Sequence, residues 1–494
     1  MRSRETLSSV GAVLLLYPIP FLLPFFVGLM YSEHILDLVL AYLLPAFFSL
    51  MIGILLTTWG KWRPGSGLDL RPSEALVVVS LSWLFIAVIG ALPFVINGAI
   101  TSPVGAFFES MSGFTTTGAS VLTVIDGLDH SILIWRALTQ WLGGLGVIVL
   151  MVAVFSMLLG GPKAGMLLMK GEVPGHSSEK LVPRIKDTAK ILWVIYVILT
   201  IAEITLLTLL GLDLYDAVCH TFTTLSTGGY GTHTTSITYF QNKPFAPIIE
   251  LVLVFFMFVG GTNFILHYNF VIKGLKSYLK DAEFRIYSLI LLSFVGIVAL
   301  DLSIRGVYSP IESVRASLFT MTSIQTTTGF VTYDFDTWPA LSRFAIIIAM
   351  FVGGMTGSTG GGIKIARFII AYKAIRRMMK KIGHPRSRQP LKMGDVIFPE
   401  KIGRSVGTFI LGYIAIFGVS VYLMSLTGLD AVSAISSVSA TLGNVGPGLG
   451  VVGPTSNYAS IEPVGQILLA FLMWLGRLEL ITVLVLFSPS TYKV

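Results

Sequence analysis

Thr115-Thr116-Thr117-Gly118-Ala119-Ser120 opens a theme that the chain states four times. Ser226-Thr227-Gly228-Gly229-Tyr230 is the second statement, Thr326-Thr327-Thr328-Gly329-Phe330 the third, and Gly443-Asn444-Val445-Gly446-Pro447-Gly448 a looser fourth. With Gly118, Gly228, Gly329 and Gly446 taken as equivalent, the steps between them are 110, 101 and 117 residues. Hydroxyls and backbone carbonyls at a glycine bend offer oxygen ligands without charge. Rings of such carbonyls can take over the water shell of an alkali cation. Carbonyls point inward in succession only where the backbone enters conformations that L-residues resist, which is the use of glycine there. The candidate ligand residues are therefore Thr116, Thr117, Gly118, Thr227, Gly228, Thr328, Gly329, Asn444, Val445 and Gly446. A lone Thr-Thr-Thr-Gly would read as a capped helix end. Four in register, each behind a short apolar segment, read as four loops meeting around one axis.

The elements that position them belong to a membrane protein. Of 494 residues, 54% are hydrophobic and 12% charged, with a mean hydropathy of +0.81, far from a soluble composition. Apolar runs of spanning length fall near 7–30, 35–58, 75–97, 131–159, 190–211, 246–270, 285–304, 341–380, 405–427 and 463–488. Four weaker segments, 103–114, 213–225, 310–325 and 430–442, end on the glycine motifs and are too short to span, so they enter and leave on one side. The expected fold is an all-α polytopic membrane protein of four helix, half-helix, loop, helix repeats around one pore, with an extra N-terminal hairpin. The expected units are 1–65 for the hairpin and 66–170, 171–272, 273–390 and 391–494 for the repeats.

Charge orients this arrangement. With both termini cytoplasmic, 28 of the 34 Lys and Arg fall on the internal side, a strong positive-inside bias. Arg136, Lys243, Arg305, Arg315 and Arg343 are assigned to the outside. The same assignment leaves an acidic external mouth, with Asp126, Asp129, Asp213, Asp216, Asp334, Asp336 and Asp430 among its residues.

Two further features interrupt the apolar pattern. Gly353, Gly354, Met355, Thr356, Gly357, Ser358, Thr359, Gly360, Gly361 and Gly362 contain six glycines in ten positions, a cost on the order of 5–6 kcal/mol in helix propensity. Irregular backbone at this depth must face protein or a water-filled cavity. This stretch, with Lys364, is a gate candidate beneath the loops. Its likeness to a nucleotide-binding loop fails, because Ile363 separates Gly362 from Lys364 and no strand precedes it. Arg477 lies in the last apolar run, where a charge must be paired. The expectation is that its guanidinium holds several carbonyls of the glycine stretch in a closed state, with Glu203 as a candidate ion partner; Glu479, two residues on, faces elsewhere. No histidine pair has metal-binding spacing, no nucleophile–base cluster occurs, and the single Cys219 reads as a buried small hydrophobe.

The four loops, the glycine stretch at 353–362 and Arg477-Leu478-Glu479 together resemble the Trk/Ktr/HKT superfamily of potassium transporters, over residues 66–494. The extra hairpin is similar to the Trk branch and its membrane pore subunit. The resemblance implies one filter residue per repeat at Gly118, Gly228, Gly329 and Gly446, with K⁺ as the transported ion and no organic cofactor in this chain. It also implies a homodimer in the cytoplasmic (inner) membrane of a prokaryote and a cytosolic regulatory ring that carries the nucleotide-binding domains. The docking face expected for that ring includes Arg376, Arg377, Lys380 and Lys381, with the bilayer as the other partner and no role for nucleic acid. A regulated K⁺ uptake protein is the leading reading and an enzyme is not expected. The alternative is a Na⁺- or H⁺-coupled symporter with discontinuous helices.

Overall fold

The computed structural model describes residues 3–60, 71–158, 185–383, 391–393, 396–398 and 400–489. The basic stretches within 61–70 and 163–184, together with Arg386, Arg388 and Lys493, lie outside the described residues. Helices α1 (Ser3–Met30) and α2 (Ile35–Trp59) form the N-terminal hairpin. They approach closely because Gly11 faces Gly53: a Cβ on Gly11 would stand 2.9 Å from the Gly53 carbonyl oxygen. The Ser49 hydroxyl donates to the Leu14 carbonyl at 2.8 Å, which satisfies it in a place without water.

Four repeats follow. The first contains α3 (Ser73–Ile96), the half-helix α4 (Pro103–Phe114) and α5 (His130–Leu158). The second contains α6 (Ile185–Leu209), the half-helix α7 (Leu214–Leu225), α8 (Ala246–Gly260) and α9 (Phe264–Lys273). The third contains α10 (Ala282–Ile304), the half-helix α11 (Pro310–Gln325), α12 (Ala340–Phe351) and α13 (Ile365–Gly383). The fourth contains α14 (Glu400–Ser425), the half-helix α15 (Ala431–Leu442), α16 (Pro463–Arg477) and α17 (Ile481–Leu484). A small antiparallel pair, β1 (Leu391–Met393) with β2 (Val396–Phe398), joins repeats three and four.

The half-helices are 12, 12, 16 and 12 residues long. At 1.5 Å per residue the shorter ones reach about 18 Å, well short of a ~30 Å hydrocarbon core. Their starts are set by local chemistry. Pro103 and Pro310 occupy first-turn positions behind Ser102 and Ser309, whose hydroxyls cap Gly105 and Glu312, and Asp430 caps Val432 at 3.0 Å. Outward faces remain apolar and open: Leu209, Leu292 and Leu411 are exposed where a bilayer would cover them.

Among the described residues, six helices are long and apolar enough to cross a membrane, or up to eight if each bent pair is one span. Three of the ten apolar runs are interrupted. α8 and α9 meet at 100° and α16 meets the Ile481–Phe487 segment at 111°, while the eighth run is divided by the glycine stretch. Three of the four closing helices are therefore broken, and only α5, at 29 residues, runs through. The first break follows Gly260-Gly261-Thr262-Asn263, with Asn263 Oδ1 capping Ile265 at 2.9 Å. The last holds Glu479 and Leu480 at φ 61° and 48°, left-handed geometry that ends a helix.

Candidate functional site: the loop ring and the flap beneath it

Each half-helix ends in the same way. The amides of Thr117, Gly228, Thr328 and Val445 donate back to the carbonyls of Ser112, Thr223, Ser323 and Ala440 at 2.8, 2.8, 2.8 and 2.7 Å. The residue before each of them is left-handed: Thr116 at φ 50°, Thr227 at 54°, Thr327 at 63° and Asn444 at 54°. Glycine or asparagine normally holds such a cap, and a β-branched residue there costs on the order of 1–3 kcal/mol. A second left-handed residue follows two positions later, at Gly118, Gly229, Gly329 and Gly446. The equivalent glycine in repeat two is thus Gly229. The sequence register, which takes Gly228, is one residue early, because adjacent glycines conceal the phase that φ reveals.

With this register the loops close on themselves. A Cβ on Gly118 would collide with the carbonyl oxygen of Gly228, on Gly229 with that of Thr328, on Gly329 with that of Val445, and on Gly446 with that of Thr117. All four separations are 2.5 Å or less, far inside van der Waals contact. The contacts run one way, from repeat one to two, three, four and back to one. Four main-chain carbonyls, those of Thr117, Gly228, Thr328 and Val445, therefore form one layer of a ring. The C-terminal ends of the four half-helices meet this ring, each carrying a partial negative charge of about one half, which favours a cation.

The glycine stretch forms a flap against the ring. A parallel bridge between Val352 and Ile363 closes its neck, with Gly353 N–H on the Ile363 carbonyl at 3.1 Å. Gly353 is required there, since a Cβ would strike the Gly361 carbonyl. The Thr359 hydroxyl donates to the Leu225 and Gly260 carbonyls, both at 2.9 Å, and Gly361 N–H donates to Thr327 Oγ1 at 2.6 Å. Met355 N–H reaches the Gly261 carbonyl at 2.9 Å, and Phe264 N–H reaches the Gly357 carbonyl at 3.1 Å, so the flap is seated on the broken end of α8. Ser358 and Thr359 are fully buried.

Two cations grip the flap. Arg477 Nη1 donates to the Thr359 carbonyl and Nη2 to the Gly143 carbonyl on α5 at 3.1 Å. Lys364 Nζ donates to the Gly360 carbonyl. The expectation that Arg477 holds several flap carbonyls is thus corrected to one flap carbonyl and one on α5. Arg477 also ends α16 at a break instead of lying within a helix. Glu203 is buried but makes no ion pair among the described residues, so it is not Arg477's partner. Glu479 pairs with Arg367, which also lies over the Phe409 ring at 3.9 Å.

The family comparison can now be placed beside this geometry. The TrkH family, described as cation transport protein, matches residues 45–493. The chain belongs to the TrkH family. Among TrkH-type relatives, the Trk system potassium uptake protein TrkH of Escherichia coli K12 is 38% identical, with all of both chains covered. The Trk system potassium uptake protein TrkG of the same organism is 34% identical over 98% of this chain and 97% of its own. The crystal structure of the potassium transporter TrkH from Vibrio parahaemolyticus superposes with a TM-score of 0.88 at 33% identity, covering 100% of each chain. The all-α architecture of four repeats plus a hairpin is that of the TrkH family, and a member is a membrane transporter, not an enzyme.

Within this TrkH architecture the structure brings together residues that the sequence left apart. Arg136, assigned by the charge count to the external side, does not face solvent. It is buried on α5 against Glu109 of α4, with Nη2 at 2.9 Å from Oε1. Glu283 accepts from Thr356 N–H at 2.8 Å and Ala366 N–H at 3.1 Å, anchoring both ends of the flap. Gly260-Gly261-Thr262-Asn263, two glycines and an asparagine inside an apolar run, was the one visible signal of the flap's seat. Several loop acids serve local structure: Asp336 accepts from Gly450 N–H at 3.1 Å, and Asp129 accepts from Asn97 at 2.8 Å.

Proposed function

We propose that this chain takes up K⁺ across the cytoplasmic membrane of a prokaryote by selective permeation through the loop ring, with the flap as its gate. The carrying observation is the closed, one-directional contact of four glycines with four neighbouring carbonyls. K⁺ leaves water when carbonyl oxygens replace its shell at similar cost, and four equivalent loops supply them. The ligands are drawn from Thr116, Thr117, Gly118, Thr227, Gly228, Gly229, Thr328, Gly329, Asn444, Val445 and Gly446. The names of the relatives, potassium uptake proteins, support K⁺ as the substrate. The repeats divide at 65, 170, 272 and 390, and the distribution of Lys and Arg supports cytoplasmic termini.

The gate comprises Gly353, Gly354, Gly357, Ser358, Thr359, Gly360, Gly361, Gly362, Lys364 and Arg477. Opening would require Thr359 and Gly361 to leave their hydrogen bonds to loops two and three and Arg477 to release the Thr359 carbonyl. A charge-assisted bond contributes roughly 1.5–3 kcal/mol, enough to bias the flap strongly toward closed. The trigger in this reading is a cytosolic nucleotide-binding ring, and the functional unit is a homodimer with one pore per chain. The far half of α13 is a fitting surface for a partner: Tyr372, Ile375, Met379 and Ile382 are exposed at heptad-like spacing beside Arg376, Lys380 and Lys381.

The test is Rb⁺ and K⁺ uptake into proteoliposomes holding the purified chain, with a K⁺ gradient and no H⁺ or Na⁺ gradient. Uptake that K⁺ competes and Na⁺ does not is expected. Uptake that appears only with an H⁺ or Na⁺ gradient would replace permeation by symport. For the gate, folded Arg477→Ala should raise partner-free Rb⁺ flux while the K⁺/Na⁺ preference stays near wild type; unchanged flux would assign the flap to packing.

A further inference from the structure

Loop two has the freest backbone of the four. At the ring-carbonyl position, loops one, three and four place Thr117, Thr328 and Val445, whose β-branched side chains stiffen the chain. Loop two places Gly228 there, followed by Gly229, and two adjacent glycines restrict nothing. A carbonyl held so loosely would wander from the geometry that separates one alkali ion from another.

The stiffness comes from α5. Gln140, fully buried, donates through Nε2 to the Gly228 carbonyl at 2.8 Å and accepts at Oε1 from Tyr230 N–H at 3.0 Å. Its amide fills the space that a side chain on residue 228 would need. Among the described residues, Gly228 is the only one of the four ring-carbonyl residues whose carbonyl receives a side-chain hydrogen bond. One turn earlier, Arg136 sends Nη1 to the Gly231 carbonyl at 3.1 Å and Nη2 to Ser120 Oγ at 3.3 Å, while its guanidinium lies 4.1 Å from the Tyr230 ring centroid. Glu109 fixes Arg136, accepting Nε at 3.0 Å, and also accepts from Val121 N–H at 2.9 Å and Ser120 Oγ at 3.0 Å. The Tyr230 hydroxyl donates to the Glu109 carbonyl at 2.8 Å. Two residues one turn apart on a helix of repeat one, Gln140 and Arg136, thereby hold the loop of repeat two at Gly228, Tyr230 and Gly231.

We propose that Gln140, backed on the same loop by the Arg136–Glu109 pair one turn away, is a positioning residue for ion selection. It substitutes for the missing side chain at position 228 and draws part of one ring carbonyl's lone-pair density away from the ion. This rests on the reading of the ring as a filter. Selectivity depends on the number and field strength of the carbonyl dipoles, so a donor on one of them makes the ring unequal by construction. The buried ion pair fixes the next part of the same loop, at Tyr230 and the Gly231 carbonyl, and it stays in place because an unpaired charge there would be strongly destabilising.

The experiment compares K⁺ and Na⁺ uptake by proteoliposomes of wild type, Gln140→Met, Arg136→Lys and Gly229→Ala, with thermal unfolding of the purified proteins as the fold control. Gln140→Met keeps the volume and loses both hydrogen bonds, so the K⁺/Na⁺ ratio should fall about five- to tenfold at normal abundance. Arg136→Lys keeps the charge and loses the fork, and should give a smaller drop in the same direction. A folded Gln140→Met with the wild-type ratio, beside a Gly229→Ala that loses it, would overturn the proposal and leave the filter standing. Unchanged ratios in both would remove the filter reading as well. Should Gln140→Met fail to fold, Arg136→Lys decides, and a wild-type ratio there overturns the proposal.

Discussion

Loops one and three brace themselves with paired hydroxyls of their own, whereas loops two and four depend on bonds with residues outside the loop. In loop one the Thr115 hydroxyl bonds the Met111 carbonyl at 2.7 Å and meets Thr117 Oγ1 at 2.8 Å. In loop three Thr326 repeats this with the Thr322 carbonyl at 2.7 Å and Thr328 Oγ1 at 2.8 Å. Each pair spans a left-handed threonine and locks it. Loop two has Gly228 where the second hydroxyl would be, and Gln140 supplies the bond. Loop four has Gly443 and Val445 at both places. There Asn444 Nδ2 reaches Thr117 Oγ1 and the Met473 carbonyl, both at 2.9 Å, and the Tyr458 hydroxyl holds the Gly446 carbonyl at 2.6 Å. The backbone solution is fourfold, and the bracing is not. One backbone arrangement can be built from four unequal sequences, provided each missing local bond is replaced by a distant one.

The largest expected effect tests the register on which the comparison stands. Gly229→Ala and Gly329→Ala place a Cβ against a neighbouring backbone carbonyl at φ 82° and 81°, and both should lower the K⁺/Na⁺ uptake ratio at least tenfold. Gly228→Ala meets only the Gln140 side chain, so its loss should be smaller. Equal losses at 228 and 229 in competitive uptake would erase the distinction between the two positions.

Next in size is Asn444→Leu. It removes two buried bonds and leaves the Thr117 hydroxyl and Met473 carbonyl without this donor, so about 2–4 kcal/mol of stability should be lost in thermal or denaturant unfolding. Gln140→Met should resemble it, whereas Thr115→Val and Thr326→Val should each cost only about 0.5–1.5 kcal/mol and match one another. Unequal threonine variants would break the pairing of loops one and three.

The smallest effect concerns the outer rim between repeats one and two. His233 lies between Asp126 Oδ1 at 3.0 Å and Asp216 Oδ2 at 3.4 Å and stacks on Tyr239. Burial pushes its imidazole down, but hydrogen bonds and charge from Asp216 and Asp126 more than offset this, and its pKa is raised above 6.5. A raised folded value means that the stabilisation is fully present below the unfolded value and is lost as pH rises through the folded one. Wild type should therefore lose more thermal stability than His233→Gln on going from pH 6 to pH 8. Parallel curves for the two proteins would show that this bridge contributes nothing to the rim.

The chain's residues alone specify the class, the hairpin, the four short segments and a glycine bend after each. Those follow from composition, run length and residue type, which are local properties. The residues also mark the glycine stretch as a break and Arg477 as a charge needing partners. The phase of loop two is set by packing: Gly228 and Gly229 could each be left-handed, and Gln140, on a helix of another repeat, bonds the Gly228 carbonyl and leaves the left-handed place to Gly229. The bend after α8 also depends on a distant partner. Gly260-Gly261-Thr262-Asn263 permit a break, and the flap, through Thr359 and Met355, supplies the donors for the Gly260 and Gly261 carbonyls that the 100° bend exposes. Arg477 and Glu203, both ionisable residues in apolar runs, look alike in the sequence; the fold brings two carbonyls to the guanidinium and, among the described residues, no ion partner to the carboxyl group.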